Sequence, residues 1–296
     1  MTEVKIFWDP SGTTFDSLGS KELVRTTDGD TPFVSVSIRM LSIDAPETHY
    51  PGSTKPSKHD ATLVQLAEWI SQGRAPVEDG LAAYLHPRLA SGRAGTLQEQ
   101  QGERAKQVFQ ELLARLLTKP SGGKRNLFIR TADQPFDEYG RLLAYVAPSY
   151  SSEELATMTP WERATFNALM VKAGWAAMFV IYPSLPSHRD LEMLRDAAKE
   201  AYMAGRGIWA EPLMLAGYEF RMAIKLYETT KKLVAGEKVS SYARKSWISR
   251  YCVDMTNQEI VYPEDYYRIA PYNRLFVWPK DVRDAVGTLN LIPSNH

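Results

Sequence analysis

Apolar and polar positions alternate along the first part of the chain and then give way to helical spacing. Residues 34–38 alternate in this way, which is the period of a half-buried strand, and an apolar run continues through residues 38–43. The dipeptide Asp28-Gly29 favours a tight turn between two strands. The pattern therefore predicts a β-hairpin that leads into residues 38–48, where the apolar run ends in acidic residues.

Further along, apolar residues recur every three to four positions, the spacing of amphipathic helices. The predicted helices span residues 60–71, 77–89, 96–117, 160–173, 187–204, 218–235 and 281–286. A capping box of Thr159 and Glu162, with Pro160 at the first helical position, sets the start of the fourth helix. Further strands are predicted at residues 126–131, 142–147, 251–254, 259–262 and 274–278.

Composition restricts the classes of function. The 296 residues include 35 Lys plus Arg and 35 Asp plus Glu, so no net field attracts the chain to nucleic acid, and any polyanion site must be local. The one cysteine, Cys252, excludes an intrachain disulfide and a cysteine-rich zinc site. The first residues lack the features of a signal peptide, and no apolar run reaches the ~20 residues of a membrane span. We therefore expect a cytoplasmic protein without membrane contact, or a secreted one if a leader has been removed.

Acidic and basic side chains are concentrated at the ends of predicted strands. Asp30 follows the first strand, Asp44 and Glu47 follow the apolar run, Arg39 lies within that run, and Arg141 follows a Tyr-Gly turn. Carboxylate oxygens without nearby histidine or cysteine suit calcium or magnesium. Arginines beside a metal and a spare carboxylate are the groups that phosphodiester cleavage requires.

Ordinary structural roles remain open for each of these residues. Asp28-Gly29 is typical of a simple hairpin turn. Arg39 is also compatible with a salt bridge to Asp44, and residues 46–48 with the start of a helix. Spacing alone therefore does not decide between a catalytic site and structural roles.

Four motifs resemble one family in their order along the chain. They are D-G-D-T at 28–31, R-M-L-S-I-D-A-P-E-T at 39–48, G-E-R-A at 102–105 and D-E-Y-G-R-L-L-A-Y-V at 137–146. Together they resemble the staphylococcal nuclease (thermonuclease) family over residues 5–210, apart from the segment 49–101. The resemblance implies an α+β fold with a five-stranded β-barrel of the oligonucleotide-binding type and packed helices. We expect a nuclease domain at 1–210 with a helical insertion at 49–101, and a small α+β C-terminal extension at 217–296.

The same resemblance implies roles at a metal site. Asp30 and Asp44 match the calcium-ligating aspartates, and Ala45 matches the residue that contributes its backbone carbonyl. Glu47 matches the carboxylate that acts as general base or positions the attacking water. Calcium is the expected cofactor, with manganese and magnesium still open because all three accept oxygen ligands.

On the substrate side, Arg39 and Arg141 match the arginines that bind and polarise the scissile phosphate. Tyr139 matches a tyrosine near the terminal phosphate, and Tyr182 matches one of a tyrosine pair that contacts the substrate. Glu138 stands where the staphylococcal enzyme has a lysine in this turn, which removes a phosphate-facing cation.

The expected function is therefore that of a calcium-dependent endonuclease on DNA, RNA or both, leaving 3′-phosphate and 5′-hydroxyl ends. An interaction module for nucleic acid or protein, with the same fold, is one alternative. A nuclease subunit of a larger intracellular assembly is another, with a protein partner bound through 49–101 or 217–296. The cationic positions around Lys231 and Arg244 are compatible with an extended polyanion groove, and we interpret them as solvated helix faces.

Overall fold

Helices form where apolar residues recur every three to four positions, and strands form where they alternate or run together. A computed structural model describes residues 21–294, apart from the side chains of residues 132–134. The helices are α1 (Asp60–Ser71), α2 (Asp79–Ala90), α3 (Ala94–Leu117), α4 (Ser152–Thr157), α5 (Phe166–Lys172), α6 (His188–Met203), α7 (Gly217–Val234), α8 (Ser241–Lys245) and α9 (Val282–Leu289). The strands are β1 (Leu23–Thr26), β2 (Pro32–Val34), β3 (Ile38–Met40), β4 (Ile43–Asp44), β5 (Leu127–Phe136), β6 (Leu142–Pro148), β7 (Ala177–Met178), β8 (Val180–Tyr182), β9 (Tyr251–Asp254), β10 (Glu259–Val261), β11 (Arg274–Val277) and β12 (Ile292–Pro293).

The chain divides into two compact units. Among the described residues, the first comprises residues 21–39 and Thr131–Ala144, and the second comprises Met40–Arg130 and residues 145–294. The chain passes from one unit to the other within β3, β5 and β6. In the first unit β1 and β2 form an antiparallel pair, so the hairpin predicted at the Asp-Gly turn is confirmed.

The described strands lie in four sheets, with the orders β1-β2, β3-β6-β5, β4-β7 and β12-β10-β9-β11-β8. No closed barrel is present among them, so the mixed α+β character is confirmed and the five-stranded barrel is not. Strand β8 pairs in parallel with β11, where Leu275 lies opposite Val180. A strand of the C-terminal segment therefore shares a sheet with a strand of the preceding region. The predicted boundary between residues 211 and 217 stays a prediction.

The segment 49–101 is helical and packs on the C-terminal segment. Helix α1 has the predicted bounds and buries Leu63 and Leu66, while α2 buries Leu81 and Leu85. These leucines share one hydrophobic core cluster with Phe220 of α7. Burial of a leucine contributes about 1.5–3 kcal/mol, so this shared cluster fixes α7 against the insertion.

One predicted helix start is wrong. Thr159 and Glu162 do exchange capping hydrogen bonds, but residues 160–163 form turns, and α5 begins only at Phe166. Thr165 caps that helix by accepting a hydrogen bond from the amide of Ala168, so a second cap directly before the apolar residues determines the start. No helix within residues 21–294 has the length and apolar character needed to cross a membrane.

Candidate active site

Two acidic side chains, Asp44 and Glu47, lie at the end of β4. Asp44 is fully buried within the second unit, and the Glu47 side chain retains 22% exposure. Strand β4 is short because Pro46 follows two residues after it, and proline cannot donate to a sheet ladder. The apolar run is therefore followed by one buried carboxylate, Asp44, and one partly exposed carboxylate, Glu47, as the sequence pattern predicts.

A cation from the C-terminal segment binds both carboxylates. Nη2 of Arg221 in α7 lies 3.0 Å from Oδ1 of Asp44, and Nη1 donates to Oε1 of Glu47. Burial lowers the pKa of the Arg221 guanidinium, but the two carboxylates outweigh that effect and hold the pKa above its ordinary value. The acidic pair is therefore neutralised in part by a residue that lies 174 positions from Glu47 along the chain.

The backbone around the acidic pair lies between two helices that approach it at glycines. A Cβ added at Gly217, the first residue of α7, would lie 2.5 Å from the carbonyl oxygen of Ala45 and 2.6 Å from Oδ2 of Asp44. A Cβ at Gly102 of α3 would lie 2.9 Å from the carbonyl oxygen of Glu47. Since Gly217 and Arg221 are four positions apart, the same face of α7 covers the backbone and carries the guanidinium.

Replacing Gly217 with alanine is expected to destabilise the protein by about 1–3 kcal/mol, because the new methyl group meets a backbone carbonyl that cannot move aside cheaply. The measurement is the free energy of unfolding from urea denaturation. Gly287→Ala in α9 is the matched control, because nothing lies within 4 Å of its added Cβ, and it should be neutral or stabilising. Equal effects of the two substitutions would contradict the close approach.

A buried polar network fixes α7 in this position. Oε1 of Glu219 accepts from the Tyr84 hydroxyl at 3.0 Å and from Nη1 of Arg274 at 3.3 Å. Arg274 also donates to the Tyr218 hydroxyl at 2.6 Å. The side chains of Glu219 and Arg274 are 3% and 2% exposed, so the pair persists because each buried charge has its partner. These contacts join Tyr84 of the insertion, Glu219 of α7 and Arg274 of β11 next to Arg221.

The insertion also contacts the acidic segment directly. Oε1 of Gln98, a fully buried residue of α3, accepts a hydrogen bond of 3.1 Å from the amide of Glu47, and its Nε2 donates to the carbonyl of Leu215. Gln98 therefore links the backbone of Glu47 to Leu215, two residues before the start of α7. Neither Gln98 nor Arg221 was identified from the sequence as a site residue.

Other residues identified by the resemblance belong to the first unit. Asp30 is exposed in the β1–β2 turn, Arg39 lies in β3, and Tyr139 is 71% exposed. Arg141 forms an ion pair with Asp137, with Nη2 at 2.6 Å from Oδ2. Partial burial raises the pKa of Asp137, and the hydrogen bonds from Arg141 outweigh it, so this pKa lies below its ordinary value.

Tyr182 belongs to the second unit and lies in β8. Its ring is buried, with 6% of the residue exposed, and its hydroxyl donates to Asp284 of α9. The hydroxyl therefore holds the sheet against α9 in this structure, and a substrate contact for Tyr182 stays a prediction.

Two of the residues expected to hold a metal ion, Asp44 and Ala45, have an oxygen against α7. Arg221 binds Asp44 and Glu47, and Gly217 covers the carbonyl of Ala45. Within residues 21–294 no group of three or more His, Cys, Asp or Glu side chains is placed to hold a metal ion. In this arrangement the cation that binds Asp44 and Glu47 is the guanidinium of Arg221.

Comparison with known proteins gives two similarities. A family model described as staphylococcal nuclease homologue matches residues 37–211, more than half of the chain. The curated protein Endonuclease YhcR of Bacillus subtilis (strain 168) is 26% identical over 161 residues. That alignment covers 54% of this chain and 11% of the relative, so the chain spans only a small part of the length of that protein.

Proposed function

Because this chain belongs to the staphylococcal nuclease homologue family, we propose that it is a nuclease that hydrolyses phosphodiester bonds within DNA or RNA strands. The relative whose name is that of an endonuclease supports cleavage within strands. The observation that carries the proposal is the acidic pair Asp44 and Glu47. A family match and two carboxylates held at a strand end together favour hydrolysis over a purely structural role.

Glu47 is the proposed base. Its carboxylate would position a water and take its proton as the water oxygen attacks phosphorus. The bond from phosphorus to the 5′ oxygen then breaks, and that oxygen takes a proton, which leaves 3′-phosphate and 5′-hydroxyl ends. The Gln98 hydrogen bond to its backbone and the approach of α3 at Gly102 hold Glu47 in place.

Arg39 and Arg141 are proposed to donate to the phosphate oxygens and offset the charge that develops on them. Tyr139 and Tyr182 are proposed substrate contacts. These four roles rest on the sequence resemblance rather than on the geometry of the acidic pair.

Calcium is proposed as the cofactor on the basis of the family, with manganese and magnesium as alternatives. The proposed ligands are Asp30, Asp44 and the carbonyl of Ala45. When bound, such a cation would polarise a phosphate oxygen. Since Arg221 binds Oδ1 of Asp44 and Gly217 lies against the carbonyl of Ala45, we propose that a cation competes with Arg221 for Asp44.

One observation favours a second candidate function. Arg221 neutralises the carboxylates that cleavage requires, as expected if this fold serves as an interaction module. In that case residues 1–210 would bind nucleic acid or protein without cleaving it. We also propose that the insertion 49–101 or the extension 217–296 binds a protein partner, as in a larger assembly.

Incubation of the pure protein with single-stranded DNA and RNA tests the nuclease. We expect cleavage with calcium, manganese or magnesium, with 3′-phosphate products identified by end-group analysis, and loss of cleavage with a chelator. Cleavage that persists in chelator would support hydrolysis and reject the metal requirement. No cleavage under any of these conditions would reject the nuclease and leave the interaction module.

A further inference from the structure

A cavity of about 110 Å³ opens beside Arg221, in a part of the chain that lies outside the residues matched by the family model. It is lined by residues of α7, by residues 246–250, by Pro263 and Tyr266, and by Phe276 of β11 and Trp278. Arg221, Lys225 and Arg250 line it, and the residues that line it include no aspartate or glutamate. Because Arg221 is paired with Asp44 and Glu47, Lys225 and Arg250 give the cavity its positive charge, in a chain whose formal net charge is zero.

Arg250 has no anionic partner among the residues that line this cavity, and Asp44, a carboxylate outside the lining, attracts its charge. Within the described part of the chain, no ion pair or side-chain hydrogen bond engages its guanidinium, which instead lies 5.0 Å from the ring of Phe179, 5.7 Å from Phe276 and 5.1 Å from Trp278. Burial, with Arg221 as a second cause, lowers the pKa of Arg250 to about 10. The guanidinium lies among three aromatic rings, which attract its charge but replace part of its hydration. Binding an anion would therefore stabilise this buried charge.

Two more polar groups of the lining lack partners. The indole Nε1 of Trp247 and the hydroxyl of Tyr266 are buried without a hydrogen-bond partner among residues 21–294. A buried donor without a partner costs about 1–3 kcal/mol. Together with the guanidinium and ammonium groups, these are hydrogen-bond donors, and a phosphate offers only acceptors in return.

The aromatic side of the cavity adds a second recognition element. Trp278 lines it and is 37% exposed, so its ring is accessible for stacking. Base stacking on an aromatic side chain contributes about 1–3 kcal/mol and does not depend on the base. The volume of the cavity is smaller than the ~300–1,000 Å³ of a pocket that encloses a whole small molecule. It therefore suits the phosphate of a nucleotide whose base lies outside the cavity.

We propose that this cavity binds a nucleotide unit, with its phosphate at Arg250 and Lys225 and its base against Trp278. That this unit belongs to the substrate strand rests on the proposed nuclease function. The position of Arg221 supports this assignment to the substrate strand, because the same side chain lines the cavity and binds Asp44 and Glu47. The C-terminal extension thereby supplies a subsite next to the acidic pair.

Titration of the full chain with AMP, adenosine and inorganic phosphate tests the proposal. Binding is measured by calorimetry and by tryptophan fluorescence, with chelator present. We expect AMP to bind, and adenosine and phosphate to bind at least about tenfold more weakly. Arg250→Met should weaken AMP binding at least about tenfold, and Trp278→Leu should weaken AMP more than phosphate. Arg244→Met, which removes an exposed cation of α8 outside the cavity, is the matched control and should bind AMP as the parent does.

The thermal midpoint separates binding from a structural role. Arg250→Met keeps the packing between the rings and removes an unpaired charge, so the midpoint should stay or rise; if this variant fails to fold, Arg250→Lys takes its place. No AMP binding, or equal binding by the Arg250 and Arg244 variants, overturns the proposal. Phosphate binding as tight as AMP binding overturns its nucleotide part. Because chelator is present in every titration, AMP binding is measured independently of metal-dependent cleavage. AMP binding together with no cleavage in the separate assay with calcium, manganese or magnesium would reject the nuclease and keep the cavity as a nucleotide site.

Discussion

Glu47→Gln is expected to reduce hydrolysis of single-stranded DNA and RNA by about 10²–10⁴-fold, the usual loss when a general base is removed. Glutamine has the same shape but cannot accept the proton of the attacking water. Its amide keeps an acceptor oxygen for Arg221, so the local packing should persist. The measurement is the initial cleavage rate, together with the affinity for an uncleaved oligonucleotide, which should change little.

The matched control is Glu103→Gln. Glu103 is a half-exposed residue of α3 whose carboxylate lies 3.4 Å from Nζ of Lys106, and this substitution should leave the rate unchanged. If Glu47→Gln cleaves as fast as the parent, Glu47 is not the base. If the parent and both variants bind nucleic acid and none cleaves it, the interaction module is the correct function.

Arg221→Met is expected to lower the free energy of unfolding by about 3 kcal/mol, because a buried carboxylate then loses its cation. This loss of free energy lies at the low end of the range for broken buried ion pairs. The reason is that the side chains of Arg221 and Glu47 retain 23% and 22% exposure, while Asp44 has none. Urea denaturation in chelator gives the value. Lys232→Met, an exposed cation of the same helix, is the control and should change stability by less than about 0.5 kcal/mol.

Calcium should then stabilise the Arg221→Met variant more than the parent, because the carboxylate oxygens become available to a cation. A ligand at 100 times its dissociation constant stabilises by about 2.7 kcal/mol, which denaturation with and without calcium detects easily. Equal stabilisation of both proteins would show that Arg221 does not compete with a cation. Undiminished stability of the variant in chelator would show that the ion pairs contribute little.

These two substitutions test one arrangement from both sides. Glu47 lies in the part of the chain that matches the family, and Arg221 lies in the segment that follows it. Their ion pair makes the C-terminal segment part of the acidic site. Any nuclease activity of a chain that ends near residue 210 would therefore be that of a site without Arg221.

Local pattern was sufficient for much of the secondary structure. Helix α1 has the predicted bounds because its apolar residues recur at helical spacing, and β9 lies where a short apolar strand was predicted. Lys231 and Arg244 are exposed, as a solvated charged face requires. The acidic pair Asp44 and Glu47 was also predictable, because the apolar run and both carboxylates lie within the ten residues 38–47.

By itself the sequence determined the local elements, the family and the acidic segment, since each depends on residues near one another in the chain. Only the tertiary structure decided that β8 pairs with β11, and that Arg221 binds Asp44 and Glu47. Helical periodicity marks which face of α7 is buried, but it does not say which carboxylates that face meets. That choice depends on the buried pair of Glu219 and Arg274 and on the leucines of the insertion, whose packing free energy is gained only when distant segments come together.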